Sequence, residues 1–465
     1  MLTPRLAEFV TETRIEDIPA EVLDGGRAAI IDTIGCALAG TIEPAGEIAA
    51  AWVQQTGARG QSTVWGRELR SSPAEAAFAN GIASHALDFD DSLPSLRGHP
   101  SATIVPAALA VAEAVGAPGE DVLAAYAIGL EVAGKLGRAT GPGHYFHGWH
   151  ATATVGVFSA TAVAARLWKL DTAQLQTAWG LAASQTSGLV RNFGTMTKPF
   201  HAGHAARTGV LSAWMAHHGF TAHTSIFDDK GFFSTYGRGD GEPLATLIEA
   251  LGKPWEMLSP AIYVKRWPCC YCNHRPVGGI LQLIAEHDIR ADEVEAVEIG
   301  FTRGSDDALG GPNPQTGLEG KFSMEYVAAA TLLDRKLTLE TFTDPMVQRP
   351  EARALTAKVR RYRVDDPKLQ SSKFGYTDVA IKTRRGRFSM RAERVSGSPE
   401  WPMTAAERKE KFTDCASRVL GARGADALHD SLSRLGSLPD VTAVMEAAVP
   451  HAGAQAPRTA GAVTA

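Results

Sequence analysis

Four stretches gather side chains suited to acid–base chemistry. HALDFDDS carries His85, Asp88, Asp90, Asp91 and Ser92, and GHPS brings His99 soon after. GPGHYFHGWHATATVG holds His144, Tyr145, His147 and His150, and TMTKPFHAGHAARTG holds Lys198, His201, His204 and Arg207. KRWPCCYCNHRP adds Lys265, Arg266, Cys269, Cys270, Cys272 and His274. Each lies at the end of an apolar helical run or in a connection marked by Gly or Pro, where binding groups usually collect. Adjacent cations repel, so the run from Lys198 to Arg207 is either a solvated stripe or a site whose ligand brings balancing anions. A lysine is a poor base at neutral pH unless burial or neighbouring cations disfavour its charged form.

Taken alone, DFDDS reads as helix capping plus solvated charge, and His99 as a loop histidine. The i, i+3, i+6 histidines of HYFHGWH fit no common zinc spacing. Cys269 and Cys272 with His274 lack a full ligand set, because Cys36 and Cys415 sit in apolar helical patterns. Buried reduced thiols, with no metal, are the expectation. P-loop and dinucleotide fingerprints are absent, so no nucleotide cofactor is expected.

These residues must be positioned by helices over the first half of the chain. GRAAIIDTIGCALAG and EDVLAAYAIGLEVAGKLGR set apolar residues at helical spacing, the second with Glu120 and Asp121 in its first turn. Asp171 and Gln174 form a capping box that opens DTAQLQTAWGLAAS. Abundant Ala, Gly and Ser predict closely packed helices. After Pro268 the texture changes: VEAVEIGF alternates at strand spacing, DVAIKT and RFSMR read as a hairpin about Arg385-Gly386, and Val359–Val364 as a further strand. A helix is expected from Ser323 to Leu333. Thr404 and Glu407 form a second capping box, with Phe412, Cys415, Ala416, Val419 and Leu420 following at helical spacing. The expected organisation is a large helical domain over 1–267, a smaller α+β domain over 268–403, helices over 404–448 rejoining the first domain, and a mobile tail over 449–465.

The chain of 465 residues exceeds one ordinary core. Its net charge of -5 argues against nucleic-acid and membrane-surface partners. Met1 to Val10 lacks the pattern of a signal peptide, and the apolar run Ala151–Ala165 is short and broken by Thr and Ser. With five cysteines, three of them in CCYC, a reducing cytoplasm is expected.

HALDFDDS…GHPSATIVPAALA, GWHATATVG, TKPFHAGHAARTG, KRWPCC…H and KFSMEYVAAA, in this order, resemble the MmgE/PrpD family over roughly residues 5 to 440. The resemblance implies a mainly α protein, with a large all-helical domain plus a smaller α+β lid domain, and a homodimer that needs no metal. It also implies a small di- or tricarboxylate substrate that loses a proton beside a carboxylate. Within the family that step leads to dehydration of 2-methylcitrate, decarboxylation of cis-aconitate or epimerisation of iminodisuccinate; a silent carboxylate-binding protein is the non-enzymatic counterpart. Carried over by motif, the site residues fall on Asp88, Ser92, His99, His150, Lys198, Lys265 and Tyr326. Lys198 and His99 are the leading acid–base groups, with Tyr145 a third. His150, Arg191, Lys265 and Arg266 would hold carboxylates, Asp88 would orient a basic residue, and His274 would line the substrate site. Where the family's decarboxylases place a catalytic histidine after the K-R-aromatic-P stretch, this chain carries Cys270. That departure, and a likeness to the shorter members, lead to epimerisation of an iminodisuccinate-like dicarboxylate as the expected reaction, ahead of dehydration.

Overall fold

The computed structural model describes residues 2–366 and 375–450; the tail expected to be mobile lies outside the described residues from 451 onward. Two compact units form. One takes the chain to Arg191, from Met196 to Tyr263 and again from Thr404; the other holds Asn192–Thr195 and Val264–Met403.

Helices of ten or more residues in the first unit are α1 (Leu2–Glu12), α2 (Ala20–Gly40), α3 (Pro44–Thr56), α4 (Pro73–Ala86), α5 (Ser101–Val115), α6 (Gly119–Thr140), α7 (Gly156–Leu167), α8 (Thr172–Ala183) and α9 (Thr197–His217). The second unit contributes α10 (His274–His287) and α11 (Met324–Asp334), and α12 (Ala405–Ser433) returns to the first. The local signals act as their chemistry requires. Asp171 and Gln174 cap α8 reciprocally, and Thr404 and Glu407 do the same for α12. The Ser72 and Ser323 side chains accept from Glu75 and Tyr326 amides at the starts of α4 and α11. Gly421, at φ 69°, breaks α12.

The core of the first unit runs through α2, α4, α5, α6, α7 and α9. This unit is not wholly helical. A two-stranded antiparallel ribbon, β1 (Ser62–Val64) and β2 (Leu69–Ser71), interrupts it. Glu113 of α5 accepts from the Thr63 amide and hydroxyl, each at 2.6 Å.

In the second unit β3 (Val294–Thr302) lies parallel to β4 (Val359–Val364) and antiparallel to β5 (Thr377–Thr383), which pairs with β6 (Gly386–Ala392); the order is β4-β3-β5-β6. The parallel β3–β4 pair needs a crossover, and α11 lies within it. Val297, Ile299 and Phe301 are buried in this unit's core with Val327 and Ile280. Among the described residues no single helix is long and apolar enough to cross a membrane.

The contact that matters most for the site is between α4 and α9. A Cβ on Gly81 would lie 2.8 Å from the Cα of Gly203, so the two backbones meet directly. This brings the end of α4, where HALDFDDS begins, against the start of α9, where Lys198 sits. Gly203→Ala is therefore expected to force the helices apart and cost about 1–3 kcal/mol. Denaturant unfolding measures it; unchanged stability would contradict the close approach.

Candidate active site

Lys198 is buried in the first turn of α9, and its ammonium bonds Asp88 directly. A cation at a helix N-terminus is disfavoured by the helix dipole, so the carboxylate offsets both that and desolvation. Asp88 follows α4 with φ at 50°, an uncommon conformation for a residue with a Cβ. Asp88, Asp90 and Asp91 are all buried, at 3%, 0% and 1% exposure. The expectation of solvated charge for DFDDS is thus overturned. For Asp88 the reason is non-local: its cation, Lys198, comes from α9.

His99 sits between these acids. Its Nδ1 lies 2.7 Å from the Asp91 carbonyl, which can only accept, so Nδ1 carries a proton and the neutral ring has its lone pair on Nε2. That Nε2 is 3.9 Å from Asp88 Oδ1. The His99 amide donates to Thr152 Oγ1 at 3.0 Å, and a side chain on Gly98 would strike Thr152, which explains the glycine of GHPS. His85, from the last turn of α4, points Nδ1 at both oxygens of Asp90, at 2.8 and 2.9 Å. Its ring centroid lies 4.4 Å from that of His99 and 6.1 Å from that of His150.

His150 and His201 face each other with Nδ1 atoms 3.0 Å apart, so one donates and the other accepts. Burial, then the Lys198 charge and neighbouring imidazoles, hold His150 well below the usual histidine range. Burial and the same lysine pull His201 down to about 4. Both rings are therefore neutral at neutral pH, and one of them offers the lone pair that their shared hydrogen bond needs. Asp91 moves the other way: burial raises its carboxyl to about 7, with Ser101 Oγ donating to it at 2.5 Å.

Asp88, His99, His150 and Lys198 are thus brought together. His85, Asp90 and His201, which the resemblance does not carry over, join them. His85 and Asp90 lie inside the same acidic motif, and His201 is one turn beyond Lys198; that spacing was the available signal. The other cations of the α9 run turn away. Arg207 bonds Glu75 at 2.7 Å, and the His204 ring stacks on Phe200. The histidines of HYFHGWH diverge as well. His144 is buried between the Tyr236 carbonyl and Thr154 Oγ1, while His147 is exposed. Tyr145 is half-buried beside Phe146. Ser92 exchanges backbone hydrogen bonds with Tyr263, and Arg191 is exposed on a short 3-10 turn.

His85, Asp88, Asp90 and His99 offer one ligand atom each within 4.8 Å, spacing that a metal could use. The Lys198 ammonium already supplies positive charge to Asp88 there. Dialysis against a chelator should therefore leave the melting temperature unchanged, whereas stoichiometric metal by elemental analysis with chelator-sensitive folding would contradict this.

Residues 4–243 match the MmgE/PrpD N-terminal domain and residues 267–434 the MmgE/PrpD C-terminal domain. The chain belongs to the MmgE/PrpD family. Its curated relatives include cis-aconitate decarboxylases from Homo sapiens (27% identical, over 94% of this chain and 92% of that protein), Mus musculus (26%, over 94% and 91%) and Aspergillus terreus (25%, over 96% and 95%).

The remaining residues singled out by the MmgE/PrpD resemblance lie in the second unit. Lys265 is fully buried. Arg266 donates to Ser396 Oγ at 3.0 Å. His274 is buried, with Nε2 3.3 Å from the Cys269 carbonyl and its ring stacked on Tyr271. Tyr326 is in that unit's core, its hydroxyl given to the Thr341 carbonyl at 2.5 Å. None of the five cysteines is in a disulfide.

The depressed histidines make a signed prediction. His201 has a folded pKa below its unfolded value, so its stabilisation is present above about pH 6.5 and lost as pH falls through about 4. His201→Gln should therefore lose less melting temperature than the parent between pH 7 and 4. The opposite contribution of Asp91 is common to both proteins and cancels in the difference. Parallel curves would contradict a buried neutral His201.

Proposed function

We propose that this chain is a lyase, independent of metal and cofactor, that acts on a small di- or tricarboxylate by moving a proton at a carbon beside a carboxylate. The observation that carries this reading is the buried Lys198–Asp88 pair surrounded by His99, His150 and His201. Decarboxylation of a cis-aconitate-like tricarboxylate is the first activity to test, supported by the names of the relatives over more than nine-tenths of the chain.

In a decarboxylation, the electron pair released with carbon dioxide passes by conjugation into a remaining carboxylate, and a proton is then placed on carbon. Lys198 is suited to hold that charge and to deliver the proton, because preorganised donors in a dry site stabilise developing charge strongly. His99, with Nδ1–H fixed on the Asp91 carbonyl, offers Nε2 as the partner base. Neutral His150 can donate to a substrate carboxylate while its other nitrogen engages His201. Asp88, in this reading, acts directly on Lys198.

A second reading is dehydration. It is favoured by Cys270 standing where the resemblance places a decarboxylase histidine. There a proton leaves the α-carbon and the β-hydroxyl departs, protonated, as water. Epimerisation of an iminodisuccinate-like substrate, the reaction expected from likeness to shorter members, draws no support from the relatives named above. A homodimer in a reducing, cytoplasmic setting belongs to the same proposal.

The test is incubation with cis-aconitate, 2-methylcitrate and an iminodisuccinate-type dicarboxylate in heavy water, followed by NMR. Loss of carbon dioxide with solvent deuterium placed on carbon, or loss of water from a tricarboxylate, is expected. Exchange with inversion in the dicarboxylate alone would replace the lyase by an epimerase, and binding with neither turnover nor exchange in any compound would leave a carboxylate-binding protein. Lys198→Met should fold and lower kcat by about 10²–10⁴-fold. Near-normal turnover by a folded Lys198→Met protein would remove Lys198 from the chemistry.

A further inference from the structure

The acidic loop after α4 has a support that neither the family resemblance nor the proposed chemistry includes. Lys411, on the returning helix α12, is buried in the core of the first unit. Its Nζ lies 2.8 and 2.9 Å from the two carboxylate oxygens of Asp32 on α2, and 2.8 Å from the carbonyl of Phe89. It also lies 4.1 Å from the centre of the Phe89 ring. Gly35 makes the approach possible, because a Cβ there would come within 2.9 Å of the Phe412 ring. The thiols of Cys36 and Cys415 lie near the pair. Burial works against the Lys411 charge, but Asp32 and the nearby thiols outweigh it and push the lysine up to about 12.

A buried ion pair is seldom the most stabilising way to fill a core; apolar residues of similar volume usually do as well or better. What this pair adds is a donor aimed at one backbone carbonyl. That carbonyl belongs to the residue immediately after Asp88, whose φ of 50° must be held by its surroundings. The far end of the same loop is tied through Asp91 to Ser101, whose hydroxyl also meets Tyr126 at 2.7 Å.

We infer that Lys411 is a positioning residue: with Asp32 as its counter-ion, it clamps the Phe89 carbonyl and so fixes the backbone that presents Asp88 to Lys198. It touches no substrate. The inference rests on Asp88 being part of the active site, and its test separates the clamp from the chemistry.

Three proteins are compared by backbone hydrogen exchange and by turnover of whichever carboxylate the parent processes. Asp32→Asn with Lys411→Met removes the clamp while leaving no unpaired buried charge. Leu420→Ala weakens the same half of α12 without touching the loop. The clamp predicts that amides 87–93 exchange at least about tenfold faster in the double variant, with α5 and α6 unchanged. It also predicts that kcat falls about 10–100-fold while KM barely moves, as expected when a catalytic group is displaced. Leu420→Ala should loosen α12 but keep both the loop protection and kcat. Should the double variant not fold, Lys411→Gln, one bond shorter and unable to reach Asp32 and Phe89 together, supplies the same readings. Parent-like protection over 87–93 without the clamp, or equal loosening in Leu420→Ala, would overturn the inference. If the parent processes none of the carboxylates, the proposed function falls, and the exchange data still decide the clamp.

Discussion

The candidate site depends on one buried ion pair. Lys198 and Asp88 are each at most 4% exposed, and neither could be buried as a charge alone. Losing one partner of such a pair typically costs about 3–5 kcal/mol, so the two positions constrain each other. That constraint reaches outward. It needs the glycine contact that brings α4 against α9, the left-handed turn at Asp88, and the backbone anchors at Phe89 and Asp91.

Around the pair the protein places imidazoles in two electrostatic conditions. His85 and His99 sit against the carboxylates Asp90 and Asp88. His150 and His201 are buried, feel the Lys198 charge and are held neutral. The groups near the lysine resist a proton. An incoming carboxylate would meet neutral imidazoles that can donate to it beside the Lys198 charge.

The legible parts of the fold were those governed by neighbours in sequence. Two capping boxes, the alternating strand Val297–Phe301, the strand Val359–Val364 and the hairpin about Arg385 follow from short-range spacing. The ribbon β1–β2 did not, because strands of three residues carry no readable alternation. The motifs likewise pointed to most of the cluster, Asp88 included, whereas DFDDS taken alone misjudged the burial of its acids. Nothing in DFDDS announces burial, since the cation that neutralises Asp88 is 110 residues away. The Lys411–Asp32 pair, 379 residues apart, is illegible for the same reason. His85 and His201 were visible as residues, yet their pairing depends on which side of a helix faces the cluster.

The central claim is that the Lys198–Asp88 cluster receives a carboxylate. The most direct measurement is a crystal structure with propane-1,2,3-tricarboxylate, which has neither a double bond nor a hydroxyl to react. The account predicts one carboxylate within about 3 Å of Lys198 Nζ and of a His99 or His150 ring nitrogen. A ligand bound elsewhere, with the Lys198–Asp88 pair and its histidines untouched, would contradict it.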